Sequence, residues 1–274
     1  MKKPIVFTDL DGTLLDAGYS FEAAVPALAL LKERDIPLIV CSSKTRKEIE
    51  RHRVMLGNRH PFVTENGGGI FIPRGYGLDL SSLPGQTVTA APGYAVIRLG
   101  ADYRDLRRAI AELQREGFAV RGFGDMSVAE VAETTALRPE QAELAREREF
   151  DEPFLFSGNG AEKEGLLAAI RKKGFHSTEG RFLHILGDSD KGRAVEMLAG
   201  LYRQRYGDIS TIAVGDSLND LPMLEKVDCP VLVQKPDGSY DPRIALPNLV
   251  QARGIGPAGW DRELPRLVRE ILDE

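Results

Sequence analysis

The chain is poor in sulfur and imidazole: 2 cysteines, Cys41 and Cys229, and 4 histidines among 274 residues. Two thiols cannot make a disulfide framework, and the histidines show no metal-ligand spacing, so neither a disulfide-stapled scaffold nor a zinc site is expected. Positive charge is not in excess either. The 36 Lys and Arg are scattered among 41 Asp and Glu, the net charge is -5, and the basic stripe that nucleic acid would require is missing. No apolar run approaches the ~20 residues needed to cross a bilayer, and MKKPIVFTDLDG reaches charged residues too soon for a secretory apolar region. Nucleic acid and membrane are therefore not expected as partners. A cytoplasmic globular protein is, with 42% hydrophobic residues to fill a core.

The first eighty residues alternate between strand and helix patterns: Ile5 to Phe7, Glu22 to Arg34, Pro37 to Cys41, Thr45 to Leu56 and Phe62 to Thr64. The same alternation returns late, with helices near Gly192 to Arg205 and Arg262 to Leu272 and strands at Thr211 to Val214 and Pro230 to Val233. This grammar predicts an α/β fold with a doubly wound, mostly parallel core sheet. The middle differs in character, and it reads as an inserted α+β domain. The Pro- and Gly-rich stretch Pro73 to Pro92 and the loop Gly187 to Asp190 bound it, giving a core of residues 1–84 and 188–274 around an insertion of 85–187.

The strongest chemical signal is Phe7-Thr8-Asp9-Leu10-Asp11-Gly12-Thr13 directly after an apolar strand. Ligands of open α/β sheets gather beyond the carboxyl ends of strands, and paired carboxylates there can divide nucleophile and proton-transfer roles. A second strand runs into Gly215-Asp216-Ser217-Leu218-Asn219-Asp220. Acids converging from two strands make a hard oxygen site of the kind Mg²⁺ accepts. Taken singly, an Asp-Gly turn or an N-cap accounts for either motif. Between them lie Ser42 and Ser43, past the strand ending at Cys41, and Lys191, opening a helix. A hydroxyl and an ammonium in such places can hold phosphoryl oxygens.

Three decoys fall away. Gly187-Asp188-Ser189 repeats the start of the acid loop but continues Asp190-Lys191-Gly192, so Asp188 and Asp190 read as a turn and a cap. Cys41 and Arg46 are one residue short of the CxxxxxR loop of thiol phosphatases. Gly158-Asn159-Gly160 lacks the GK[ST] of a P-loop.

Together, in order, the four elements resemble the haloacid dehalogenase superfamily, with its DxDGT loop, a Ser or Thr after the second strand, a Lys and a GDxxND loop. The resemblance implies Asp9 as nucleophile and Mg²⁺ ligand, and Asp11 as acid and then base, its main-chain carbonyl also ligating the metal. It implies Ser42 and Lys191 as phosphoryl clamps, Asp216 as a Mg²⁺ ligand, and Asp220 as a support for the metal or for Lys191. Ser43 could share or take over the hydroxyl role of Ser42, because similar chains often carry Thr-Gly-Arg where this one has Ser42-Ser43-Lys44.

The position of the insertion is similar to that of the larger cap of Cof-like sugar phosphatases. Cys41 to Thr45, Pro61 to Gly68, Arg148 to Phe154 and Arg181 to Gly187 resemble the mannosyl-3-phosphoglycerate phosphatases over essentially the whole chain. That resemblance implies a substrate with a phosphate, a carboxylate and sugar hydroxyls. Arg148 and Arg181 would fork onto the carboxylate, and Glu149, Glu152 and His184 would bind hydroxyls. Ser43, Lys44, Glu65, Asn66, Gly67 and Asn219 would also line the substrate, although Glu65 to Gly68 reads equally as a hairpin turn. For each cap residue a surface ion pair is an equal reading. A phosphatase for the glucosyl analogue, for sucrose phosphate or for a hexose phosphate, a phosphosugar mutase, and a sugar-phosphate sensor without turnover all stay open. A monomer or weak homodimer is expected.

Overall fold

The architecture is that of a computed structural model, which describes residues 2–83 and 86–273. The chain opens with β1 (Lys3–Thr8), α1 (Val25–Glu33), β2 (Leu38–Cys41), α2 (Arg46–Leu56), β3 (Phe62–Thr64) and β4 (Gly69–Pro73). It continues through β5 (Val88–Ala91), β6 (Tyr94–Arg98), α3 (Tyr103–Arg115), β7 (Val120–Gly122), α4 (Val128–Thr135) and α5 (Pro139–Arg146). Then come β8 (Asp151–Phe156), α6 (Gly160–Lys172), β9 (His176–Glu179) and β10 (Leu183–Leu186). It closes with α7 (Lys191–Tyr206), β11 (Ile209–Gly215), α8 (Leu221–Leu224), β12 (Cys229–Gln234), β13 (Val250–Ile255) and α9 (Pro257–Asp273).

One nine-stranded sheet runs in the order β13-β12-β11-β1-β2-β3-β4-β6-β5. The pairs from β13 to β3 are parallel, and those from β3 to β5 are antiparallel. Its faces are closed by two apolar layers. Ala27 and Leu31 of α1 and Trp260, Leu264 and Val268 of α9 pack on one, and Ala194, Val195, Leu198 and Tyr202 of α7 on the other. This is the α/β, doubly wound core that the alternation predicts. The chain winds outward in both directions from β1 and β11, so a crevice opens at their carboxyl ends. Their register, Thr8 opposite Val214, sets Asp9 beside Gly215.

A second sheet, β7-β8-β10-β9, is antiparallel throughout. Leu106, Ile110 and Leu113 of α3 and Leu166 and Ile170 of α6 cover one of its faces, packing on Phe154 and Ile185. The boundary expected between residues 84 and 85 lies outside the described residues. β5 and β6, expected in the insertion, hydrogen-bond outward from β4 and extend the large sheet, because Ile97 and Val96 pair with Ile70 and Phe71. The insertion's own sheet begins at β7.

Candidate active site

Asp9 follows β1 and is 5% exposed. Its backbone N–H donates to Val214 O at 3.0 Å, which ties it to β11. Thr8 Oγ1 donates to Asp9 O and accepts from Trp260 Nε1 at 3.1 Å, so α9 buttresses the loop from below. Gly12 has φ +78, and a Cβ there would lie 2.8 Å from Asp216 Oδ2. Only glycine lets the first loop turn back so close to the second acid loop.

Lys191, fully enclosed at the start of α7, donates to Asp9 Oδ1 at 2.7 Å and to Asp220 Oδ1 at 2.6 Å. Asp220 Oδ2 accepts the backbone N–H groups of Asp216 and Ser217 at 3.0 and 3.1 Å. Asp216 Oδ1 accepts from Ser217 Oγ at 3.1 Å and from Thr13 Oγ1 at 3.4 Å. Oxygens of Asp9, Asp216 and Asp220 all lie within 4.8 Å of one another. Three carboxylates thus face one ammonium, a deficit of positive charge in a buried place.

Protonation follows that deficit. Burial pushes the Asp9 carboxyl well above its ordinary value, and Asp220, Asp216 and Asp11 add to the push, while Lys191 opposes it. Burial and the neighbouring Asp220 push Asp216 up to about 7. Burial works against the charge on Lys191, but Asp220 and Asp9 outweigh it and hold the ammonium above its ordinary value. A divalent cation fits here, because hard oxygen donors with uncompensated charge are already grouped. Asp9 and Asp216 are the ligands free for it, since both oxygens of Asp220 are engaged by Lys191 and the loop backbone.

Asp11 points away from the acid cluster. Its side chain is 45% exposed, and its Oδ2 meets Lys44 Nζ at 2.8 Å. Lys44 itself is buried. Although burial works against it, Asp11 and Glu48 hold its ammonium above the ordinary lysine value. Ser42 is buried beside them, its Oγ accepting the Lys44 N–H at 3.3 Å. Thr45 caps α2 through the Glu48 N–H at 3.2 Å, and Glu48 returns a bond to the Thr45 N–H at 2.9 Å. A reciprocal cap contributes about 1 kcal/mol and fixes Lys44 just ahead of the helix.

The residues expected on the substrate divide into those the fold brings to a cavity and those it commits elsewhere. Ser43, Lys44, Arg148, Arg181 and His184 line one small cavity of about 90 Å³ together with Asp11. Asn66 and Asn219, bonded to each other at 3.2 Å, line a second of about 260 Å³ that reaches Lys191. Glu65 instead turns its carboxylate onto the chain entering β8, accepting the N–H groups of Glu149 at 3.0 Å, Phe150 at 2.7 Å and Asp151 at 2.9 Å. Burial pushes its carboxyl up to about 8. Glu149 pairs with Arg46 at 2.9 Å. Glu152 lies wholly inside the insertion, bonded to Arg107 at 2.6 Å, Tyr103 at 2.8 Å and the Gly124 N–H at 2.8 Å. Gly67 serves close packing: with φ +94, a Cβ there would lie 2.0 Å from Asp190 O.

Glu65 to Gly68 is the turn between the antiparallel β3 and β4, as the hairpin reading has it. Asp190 caps α7 through the Arg193 N–H at 2.8 Å and Asp188 is exposed, in line with their reading as cap and turn. Sequence reasoning missed Thr13, whose motif position pointed to it, Asp151, which lies within the stretch Arg148 to Phe154, and Tyr19, for which the sequence carries no signal. Asp151 accepts from Asn66 Nδ2 at 2.9 Å, meets His184 Nδ1 at 3.0 Å and pairs with Arg148 at 3.2 Å. A cavity of about 510 Å³ between α1 and the end of α2 touches none of the expected site residues.

Residues 6–92 and 150–237 match the haloacid dehalogenase-like hydrolase family, and the chain belongs to that family. Over 269 residues it is 46% identical to the glucosyl-3-phosphoglycerate/mannosyl-3-phosphoglycerate phosphatase of Methanococcoides burtonii, covering 97% of each chain. It is 36% identical over 232 residues to the mannosyl-3-phosphoglycerate phosphatase of Pyrococcus furiosus, covering 84% of this chain and 90% of that one. Its fold matches the sucrose-phosphatase of Synechocystis, solved in complex with sucrose and phosphate, at a TM-score of 0.64 over 98% of this chain and 99% of that one, with 15% identity. Both named relatives are phosphatases, in agreement with the phosphoric monoester hydrolase expected from the sequence.

Proposed function

We propose that this protein hydrolyses mannosyl-3-phosphoglycerate to mannosylglycerate and phosphate, with Mg²⁺ as its cofactor and an aspartyl-phosphate at Asp9 as the intermediate. The observation that carries the reading is the acid cluster of Asp9, Asp216 and Asp220 around Lys191, with a cationic cavity adjoining Asp11. An attacking carboxylate, a proton donor and cations for a carboxylate-bearing leaving group are thereby gathered in one crevice.

Asp9 attacks phosphorus in line, and Asp11 protonates the departing glycerate oxygen. Asp11, left as a carboxylate, then takes a proton from the water that releases phosphate from Asp9. Lys191 and Ser42 hold the phosphoryl oxygens, with Ser43 beside them. Asp9, Asp216 and the main-chain carbonyl of Asp11 would hold Mg²⁺, which supplies charge neutralisation at the phosphoryl group. The insertion acts as a cap that closes over the substrate and excludes water from it. Arg181 faces the glycerate carboxylate as a guanidinium donor, while Arg148, which donates to Ser43 O at 2.8 and 3.1 Å and pairs with Asp151, supports the loop behind it.

A second reading, turnover of the glucosyl analogue, is favoured by the double name of the Methanococcoides burtonii relative. A panel of mannosyl-3-phosphoglycerate, glucosyl-3-phosphoglycerate, mannose 6-phosphate and sucrose phosphate, scored for released phosphate with and without Mg²⁺, tests both. The proposal expects magnesium-dependent release from the first, with the second as the next best. Preference for a plain hexose phosphate, or transfer to a sugar without free phosphate, would remove it.

A further inference from the structure

The loop that follows β2 presents the carbonyls of Ser42, Ser43 and Lys44 in succession, and each of them is held. Ser42 O accepts the Asn66 N–H and Lys44 O the Glu65 N–H, both at 3.1 Å, so the β3–β4 turn fixes the two outer carbonyls. The middle one is held from the insertion instead. Arg148 donates to Ser43 O through both terminal nitrogens, at 2.8 and 3.1 Å. Its side chain is 4% exposed, and Asp151, fully buried beside it, meets Nη2 at 3.2 Å. Asp151 is fixed in turn by Asn66 Nδ2 at 2.9 Å. A guanidinium enclosed in this way spends these bonds on the loop and not on a ligand.

Peptide geometry decides how far that hold reaches. The Ser43 carbonyl and the Lys44 N–H belong to one peptide unit, which is trans and planar, so the two groups point to opposite sides of it. The Lys44 N–H donates to Ser42 Oγ at 3.3 Å. Arg148 on one edge of this plane therefore fixes the other edge, and with it the Ser42 hydroxyl. A hydroxyl oxygen that accepts an N–H through a lone pair keeps its own proton to donate. If the plane rotated, Ser42 would lose the bond that directs that proton.

We infer that Arg148 is a positioning residue for the phosphoryl-transfer step: through the peptide between Ser43 and Lys44 it directs the hydroxyl by which Ser42 holds the phosphoryl group. The inference rests on the role given to Ser42 above. Its consequence is that the insertion takes part in the chemistry at phosphorus as well as sealing the crevice. Two further bonds act in the same sense. Thr45 Oγ1 donates to Leu144 O at 2.8 Å, and Arg46 Nε meets Glu149 Oε1 at 2.9 Å, so residues 144–149 grip both the loop and the start of α2. All of these bonds are lost when the insertion swings away from the core. A substrate too small to touch the insertion therefore still depends on it.

The test is a double-mutant cycle read on p-nitrophenyl phosphate with Mg²⁺, a substrate that has no carboxylate for an arginine to bind. Arg148→Lys keeps a cation beside Asp151 but not the forked contact to Ser43 O. Arg148→Met combined with Asp151→Asn removes the buried pair together and leaves no lone charge behind. Each should lower kcat about tenfold or more, as expected when a donor to the phosphoryl group is misdirected, with KM changed less than about threefold. In a Ser42→Ala background the same changes should cost less than about twofold, because the hydroxyl they act through is gone. Unchanged kcat in both variants, or an equal loss with and without Ser42, would overturn the positioning role. p-Nitrophenyl phosphate reports on the phosphoryl step alone, so a wild-type enzyme inert toward mannosyl-3-phosphoglycerate would remove the proposed substrate and leave the outcome of the cycle decisive for Arg148.

Discussion

Lys44 holds Asp11 by a 2.8 Å ion pair in which the lysine side chain is 7% exposed and the aspartate 45%. The buried partner is the fixed one, since Glu48, 3.6 Å away, and the Tyr19 ring, 4.9 Å from the ammonium, enclose it. Lys44 therefore orients Asp11, the proton donor of the proposed reaction, rather than merely lining the substrate space. Lys44→Met should lower kcat by roughly one to two orders of magnitude, below the ~10² to 10⁴ that a general acid itself contributes. The loss should be greater for alkyl phosphates than for p-nitrophenyl phosphate, whose leaving group departs without a proton. Parallel kinetics on the two substrate types check it; equal losses would leave Lys44 a packing role only.

Metal affinity and metal-free stability should move in opposite directions as pH rises. Asp216 is pushed up to about 7 and Glu65 to about 8 in the folded chain. A carboxyl whose folded pKa is raised binds more protons in the folded state, so its contribution is complete below the ordinary carboxylate range and is lost as pH rises through the folded value. The metal-free protein should therefore melt at lower temperature at about pH 8 than at about pH 6, and the rise in Tm that Mg²⁺ produces should grow over the same interval. Thermal melts with and without Mg²⁺ across that range decide it.

Glu65 is the joint between core and insertion. Its carboxylate accepts three consecutive backbone N–H groups, from Glu149, Phe150 and Asp151, where the chain re-enters the second sheet. Glu65→Ala strands those donors and should cost about 3 kcal/mol or more, several single unsatisfied groups' worth. Glu65→Gln, which keeps one acceptor oxygen, should cost less. Denaturant unfolding, together with protease cleavage near residues 147–152, measures both.

The cluster of Asp9, Asp216 and Asp220 was legible because its residues sit at fixed offsets from apolar strands, and the strands' register does the rest. Asp9 and Asp216 are 207 positions apart, but β1 and β11 pair in parallel, with Thr8 against Val214. The strands that escaped the sequence pattern, β5, β9 and β13, are all at sheet edges. An edge strand is not buried on both sides, so Val88–Ala91 and His176–Glu179 carry no apolar run to betray them. The cap carboxylates were legible as charges and not as roles. Glu65 is spent on backbone donors and Glu152 on Arg107, Tyr103 and Gly124, partners that only the fold supplies.

Close approach at the first loop gives a further test. A Cβ on Gly12 would press on Asp216 Oδ2 at 2.8 Å in a backbone of φ +78. Gly12→Ala should therefore raise the Mg²⁺ concentration needed for half-maximal activity while leaving the sheet intact, as circular dichroism and a metal titration of activity would show.

In the proposed reaction a carboxylate oxygen of Asp9 receives the phosphoryl group. Substrate labelled with ³²P, mixed with enzyme and Mg²⁺ and quenched in acid within a single turnover, should leave hydroxylamine-labile label on the peptide that contains Asp9, and none in Asp9→Asn, which should fold normally and release no phosphate. Phosphate release from Asp9→Asn at an undiminished rate, or label carried on a different residue, would contradict it.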